Sequence, residues 1–322
     1  MKIAFISDGW VPFPGGAERY IFNIARELKN RGHEICVLTS YMKAYEFDGI
    51  KPTWISIGVR CYDHQPGHTH ADGWCDIKNF LDEHNPDVIV THHFFAREFE
   101  KELFDGRIPV VNLMYNGARI PNAALTIYIS QHVYNTSGGR PGDMLIMPPA
   151  FEDVKANAHG DFIGFIKPIK HKGIDLVYQI AELMPEKQFL VLRGEWQDIE
   201  DIRRGRHNVF FMEPVHDMRT FYEKCRVMLV PSTSEDAGTV AQEAALNEMP
   251  CISSGVMGLS QTNGGGIILP PVPSTWVATI RDLDNPEYCA LIVERQKQFI
   301  ASLNWPGQFD ELSGRICQLA AK

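Results

Sequence analysis

Twice along this chain, short unbroken apolar runs alternate with segments of helical periodicity, and that rhythm restricts the fold more than any other feature. In the first half, KIAFIS (2–7), EICVLTS (34–40), TWISIGV (53–59), DVIVTHH (87–93), IPVVNLMYN (108–116) and LTIYISQ (125–131) read as strands. Between the first two, Ile21, Ile24, Ala25 and Leu28 recur at helical spacing until Gly32 stops the helix. IKNFLDEHN (77–85) is a second helix, halted before Pro86. Near residues 150–158 the rhythm pauses in a Pro-containing, then polar, stretch and restarts with FIGFI (162–166), a helix over 173–184, and further strands in QFLVLRG, NVFFMEP, VMLVPS and PCISS. Strands with no polar face must be covered on both sides, which predicts parallel sheets with helices on each face. The chain is therefore expected to be α/β, with two doubly wound Rossmann-like domains at 1–152 and 153–290 facing across a cleft, followed by a helical segment over 291–322. Ligands of such sheets bind beyond the carboxyl ends of the strands, so the residues just after strands are the ones to examine.

Composition excludes several classes. Acidic residues exceed basic ones, for a net charge of −9, which disfavours nucleic acid and anionic membranes as partners. The basic run Arg203, Arg204 and Arg206 reads as a solvated loop. No 18-residue apolar stretch occurs, and MKIAFISDGW turns polar too early for a signal peptide. Seven scattered cysteines with no C-x-x-C pair suit reduced thiols and a cytoplasmic protein. A G-x-G-x-x-G fingerprint, a Walker A loop and a nucleophile elbow are all missing from the sequence.

The most informative stretch is VPSTSEDAGTVAQEAAL (230–246). A strand ends at Pro231, a Ser/Thr/Gly loop follows, and Thr239 with Gln242 fits a capping box, predicting Thr239 as N-cap and Glu243 in the first helical turn. A helix start with unpaired N–H groups suits phosphate. Gly238 would let a ligand come close to the backbone. Glu243 could accept from two neighbouring hydroxyls, as on a ribose, and Glu235 could reach hydroxyls of a second group. Two acids around a phosphate-binding helix end suit a sugar nucleotide. The plainer alternative is that Glu243 complements the helix dipole and Glu235 is solvated. Lys172, directly before Gly173 at another helix start, would clamp a diphosphate, with Lys167 and Lys170 nearby; surface lysines are the alternative.

Other clusters read differently. Cys61, His64, His68, His70, Asp72 and Cys75 fit no standard zinc spacing and are expected in a surface or acceptor-binding loop. His92 and His93 end a strand and face the cleft mouth. Asp282 and Asp284 are expected to cap the helix beginning near Pro286.

The segment EDAGTVAQE, after VPS and before AALNEMPCISS, resembles the E-x7-E signature of family-4 retaining glycosyltransferases of the GT-B fold, and the resemblance covers nearly the whole chain. It implies that Glu243 holds the nucleotide ribose, Glu235 contacts the donor sugar, and Lys172 contacts the diphosphate. It implies a glycine loop at Gly16 that admits the diphosphate, a substrate-touching histidine at His92, and a terminal helix in NWPGQFDEL that crosses back to the first domain. Gly258 lies in VMGLSQTNGGG, expected as a loop whose N–H groups, with Thr239 at the helix start, face sugar or phosphate. Four positions depart from the pattern. Phe165 stands for an arginine, Tyr115 or Asn116 for a histidine, Glu248 for a glycine and Gln261 for an acid. The expectation is a transferase moving a sugar from a nucleoside diphosphate donor, UDP or GDP, to a hydroxyl acceptor, a small molecule or glycan rather than nucleic acid, with no tightly bound metal. A sugar-nucleotide epimerase, a catalytically silent sugar-nucleotide-binding protein and a transferase acting on modified DNA bases remain alternatives.

Overall fold

The apolar runs form two separate parallel sheets in the computed structural model, which describes residues 1–11, 15–41, 44–55, 70–92, 99–103, 105–115, 117, 119–147, 154–156, 160–194, 206–215 and 217–321. The chain divides into one unit of Met1–Ile146 with Trp305–Lys322 and another of Met147–Asn304.

In the first unit, β1 (Lys2–Ser7), β2 (Glu34–Thr39), β3 (Pro52–Trp54), β4 (Val88–His92), β5 (Val110–Met114), β6 (Leu125–Tyr128) and β7 (Met144–Leu145) pair in the order 3-2-1-4-5-6-7, all parallel. Helices α1 (Gly16–Asn30), α2 (His70–His84), α3 (Glu100–Leu103) and α4 (Gln131–Thr136) connect them. Ala4, Ile6 and Ile89 on one sheet face pack with Ile77 and Phe80 of α2 and Leu103 of α3. Helix α1 buries Ile21, Ile24, Ala25 and Leu28, the spacing read from the sequence, and Tyr20 beside them. Helix α2 starts at His70, so Asp72 and Cys75, expected in a loop, are helical. The apolar period of Trp74, Ile77, Phe80 and Leu81 carries the helix further toward its N-terminus than the sequence reading did. Cys61, His64, His68 and His93 lie outside the described residues.

In the second unit, β8 (Phe162–Ile166), β9 (Phe189–Leu192), β10 (Val209–Met212), β11 (Cys225–Val230), β12 (Cys251–Ser254) and β13 (Ile267–Leu269) pair in the order 10-9-8-11-12-13, again all parallel. The helices are α5 (Ile174–Leu183), α6 (Arg219–Tyr222), α7 (Thr239–Leu246), α8 (Met257–Thr262), α9 (Pro273–Asp282) and α10 (Pro286–Ser302). Phe165 is fully buried in the core with Ile163, Val177, Val191 and Leu229. A charged side chain there would lose its hydration without a partner. Helix α10 is capped by Asn285, whose side chain accepts from the amides of Glu287 and Tyr288. The expected aspartate cap is therefore not formed; Asp284 instead pairs with Lys187 at 2.8 Å and Arg226 at 2.9 Å. Arg206 pairs with Glu182 and covers the Tyr178 ring at 4.3 Å, while Arg203 and Arg204 are outside the described residues.

The last helix, α11 (Trp305–Ala320), returns to the first unit. There Ser313 bonds His33 at 2.7 Å and Asp310 bonds Arg31 at 2.8 Å. No helix among the described residues is long and apolar enough to cross a membrane.

Candidate active site

Each sheet reverses its winding once, between β1 and β4 in the first unit and between β8 and β11 in the second. Adjacent connections diverge at such a point and leave a crevice beyond the carboxyl ends of the two strands.

At the second reversal the chain brings Lys172 and Glu235 together, 63 residues apart in sequence. Lys172 ends a single 3-10 turn, Lys170–Lys172, and Gly173 links that turn to α5 in a left-handed conformation with φ 90°. A Cβ on Gly173 would stand 2.2 Å from the Pro231 carbonyl oxygen, so only glycine lets α5 start against the end of β11. Thr233 then donates its amide to the His171 carbonyl at 2.8 Å. These backbone constraints put Lys172 Nζ 2.5 Å from Glu235 Oε2, to which Ser232 Oγ also donates at 3.2 Å. Ser232 is held in turn by Ser254, which donates to its carbonyl. Lys167, directly after β8, is exposed, adopts φ 65° and has no ion-pair partner among the described residues.

The helix after Glu235 departs from the capping-box expectation. Helix α7 begins at Thr239 and its N-cap is Gly238, with no side-chain cap. Gln242, expected to reach back to the cap, is buried, and neither of its amide atoms has a hydrogen-bond partner among the described residues. Glu243 lies in the second turn, and the first turn carries no acid. The reason is tertiary. The Gly238 amide donates to Thr262 Oγ1 at 3.1 Å, and a Cβ there would meet Leu259 Cδ1 at 2.4 Å. Packing on α8 thus occupies both the amide and the space that were expected to serve a ligand. The segment holding Gly258 and Gln261 is itself helix α8 rather than an open loop. A Cβ on Gly258 would stand 2.1 Å from the Glu235 carbonyl oxygen and 2.5 Å from that of Asp236, so this glycine seats the Glu235 backbone directly on α8.

Glu243 is half-buried and accepts a hydrogen bond on Oε2 from Tyr222. Burial, and then the adjacent Glu243 charge, push the Tyr222 hydroxyl well above its ordinary value, so the phenol keeps its proton. Past α7 the chain makes a Schellman turn, with Met249 bonding Ala244 and Glu248 bonding Ala245. Glu248 holds φ 54° at the position where the family resemblance expects glycine.

At the first reversal, His92 ends β4 and its Nε2 stands 2.5 Å from Oδ1 of Asp8, the residue after β1. The Gly9 amide donates to the same carboxylate oxygen at 3.0 Å, and Ser40 Oγ donates to the Asp8 carbonyl at 2.9 Å. Burial acts to raise the Asp8 carboxyl, but the His92 charge, its hydrogen bond and the Gly9 amide outweigh it and hold the carboxyl below its ordinary 3.8. The Tyr115 ring lies 5.9 Å from His92, and its hydroxyl donates to the Ala17 carbonyl at 3.0 Å. Gly16, the first residue of α1, is exposed, and no described residue lies within 4 Å of where its side chain would be. Among the described residues no group of three His, Cys, Asp or Glu could hold a metal ion.

Sequence reasoning missed Asp8, Ser232 and Tyr222. Asp8 and Ser232 had a signal, because each follows closely on the carboxyl end of a strand at a winding reversal. Tyr222 had none, since it lies before its strand and reaches Glu243 only through the fold.

Comparison with known families places the chain. Residues 14–112 match the model described as Glycosyltransferase Family 4, and residues 161–285 match that of Glycosyl transferases group 1. Both matches are to glycosyltransferases, and the chain is a glycosyltransferase. This glycosyltransferase is similar to the D-inositol 3-phosphate glycosyltransferase of Kineococcus radiotolerans, at 23% identity over 368 aligned positions that cover 84% of this chain and 83% of that one. Among solved structures it is similar to sucrose-phosphate synthase from Thermosynechococcus elongatus, with a TM-score of 0.79 at 16% identity over 100% of this chain and 99% of that one. It is equally similar to HepE of Anabaena, solved with UDP and glucose, with a TM-score of 0.79 at 17% identity over 98% and 99%. At such identities the structural likeness speaks for the fold, which is GT-B.

Proposed function

We propose that this glycosyltransferase moves a sugar from a nucleoside diphosphate donor to a hydroxyl acceptor with retention at the anomeric carbon. The observation that carries the proposal is the Lys172–Glu235 pair at the β8/β11 reversal. An ammonium has three N–H donors and can serve a carboxylate and a phosphate together. In this reading Lys172 meets the donor diphosphate and Glu235 the donor sugar, while Glu243 accepts from the ribose hydroxyls. Lys167 is a second cation for the phosphates, and Gly16 a backbone donor to an anion. Thr239, at the first position of α7, adds the positive end of that helix. Gly238 and Gly258 act through packing that holds the two acids in place. The donor is assigned to the unit Met147–Asn304, and the acceptor hydroxyl to the unit that holds His92 and Tyr115.

In the transfer step, the bond from the anomeric carbon to the diphosphate oxygen breaks as the bond to the acceptor oxygen forms on the same face. The acceptor proton passes to the leaving phosphate oxygen. The charge that grows on the diphosphate is met by Lys172 and the helix terminus. UDP is the first donor nucleotide to test, supported by the UDP and glucose bound in HepE. A polyol or glycan acceptor is supported by the D-inositol 3-phosphate activity named for the Kineococcus relative. A cytoplasmic location completes the proposal and agrees with the free state of all the described cysteines.

The test is a thermal-shift screen with UDP, GDP, ADP and CDP and their sugars, followed by turnover of the stabilising donor. Glu243→Ala should lose the shift, and Lys172→Ala should lower turnover by roughly a hundredfold, the scale of a lost transition-state donor. Full activity of Lys172→Ala would sink the assignment. Turnover of donor to a second sugar nucleotide with no acceptor present would replace transfer with epimerisation.

A further inference from the structure

Tyr222 has a side chain closed to solvent. It is the last residue of α6, is completely buried, and packs with Phe221, Cys225, Met228, Ala244 and Cys251. Only its hydroxyl leaves that apolar cluster, and it ends on Glu243 Oε2. A buried phenol needs a partner for its O–H, and an apolar residue of the same shape would have filled this site without that demand. The consequence for Glu243 is the informative part. A carboxylate on a two-carbon arm rotates freely about its last bond, and its terminal torsion is broad. Fixing one oxygen on a phenol rooted in the core removes that rotation and sets the plane in which the remaining lone pairs point. Recognition of a vicinal diol depends on that plane, because two hydroxyls on adjacent carbons must meet a single carboxylate. The donated proton is secure, since the Glu243 charge and burial both oppose ionisation of the phenol.

We propose that Tyr222 is a positioning residue that makes this site select a nucleotide with an intact ribose diol over its deoxy counterparts. It does so by locking the Glu243 carboxylate plane. The inference rests on the assignment of Glu243 to the ribose and adds to it a residue that touches no substrate.

The experiment measures dissociation constants by calorimetry on the full chain for UDP, GDP and ADP, and for the 2′-deoxy and 3′-deoxy forms of whichever binds. The proteins are wild type, Tyr222→Phe, Glu243→Gln and the double variant. Wild type should prefer the ribonucleotide. Tyr222→Phe should weaken ribonucleotide binding about tenfold, the scale of one hydrogen bond to a charged group, and leave the deoxy forms nearly unchanged, so the preference collapses. The double variant should be no worse than Glu243→Gln alone, because Tyr222 acts only through that carboxylate. A purely structural role would weaken every nucleotide equally. Equal weakening, or an unchanged preference in Tyr222→Phe beside a lost preference in Glu243→Gln, overturns the inference and leaves the ribose assignment standing. An unchanged preference in Glu243→Gln removes the ribose assignment itself. Tyr222→Met, which also lacks the hydroxyl and fills the core, serves as the second variant if the phenylalanine chain does not fold.

Discussion

Replacing Gly258 by alanine separates two accounts of the same glycine. If the residue serves through its amide, alanine keeps that amide and changes little. The packing around it points instead to a steric role, because a Cβ at this position would lie 2.1 Å from the Glu235 carbonyl oxygen and 2.5 Å from that of Asp236. Both obstacles are backbone, so no side chain can rotate away. Ordinary contact begins at 3.4 Å, so the segment bearing Glu235 or the start of α8 must shift by about 1.3 Å. Overpacking of this kind costs about 1–3 kcal/mol of stability. A catalytic group misplaced by about 1 Å costs on the order of a hundredfold in rate. Glu243 is anchored separately by Tyr222, so nucleotide affinity should fall much less than turnover. The assay is release of the nucleoside diphosphate from its sugar donor, with and without acceptor, beside calorimetric binding of the nucleotide and a urea melt. A folded Gly258→Ala protein with wild-type turnover would refute the reasoning and return the glycine to a role through its amide.

Further predictions concern stability. Gln242→Met removes a buried amide with no hydrogen-bond partner among the described residues and should raise unfolding free energy by about 1 kcal/mol, read from the urea midpoint; a loss would mean the amide is satisfied in solution. Asp8→Asn should destabilise the chain at neutral pH. Because the Asp8 carboxyl is held below 3.8 in the folded protein, its contribution is present above that value and disappears as pH falls through the depressed one. The stability curves of wild type and Asp8→Asn should therefore converge in acid; a constant gap would show that the carboxylate charge is not what His92 requires.

Much of the fold was legible because its cause is local. A strand buried on both faces must be apolar throughout, so β1, β2, β4, β5, β8, β9 and β11 announce themselves without any neighbour in view. The same holds for the apolar stripe of α1. The existence of those elements thus follows from the sequence, whereas α8 was expected as a loop, and the rule that ligands gather beyond strands made Lys172, Glu235, Glu243 and His92 the candidates. Legibility ended where an outcome depended on which residues meet. Thr239 and Gln242 satisfy a capping pattern, yet Leu259 and Thr262 of α8 claim Gly238 and leave the cap there. Asn285, directly before Pro286, caps α10, while Asp284 pairs with Lys187 and Arg226, distant in sequence.

What the sequence by itself determined was a pair of parallel α/β sheets and the identity of the charged groups beyond their strands, since periodicity and residue type need no partner to act. What only the tertiary structure decided was how those groups pair. Lys172 meets Glu235, His92 meets Asp8 and Tyr222 meets Glu243. Each pairing joins segments separated by 21 to 84 residues. Contacts of that range depend on strand order and on close backbone approaches such as Gly173 against Pro231. Those are properties of the packed chain, and no window of residues along it contains them.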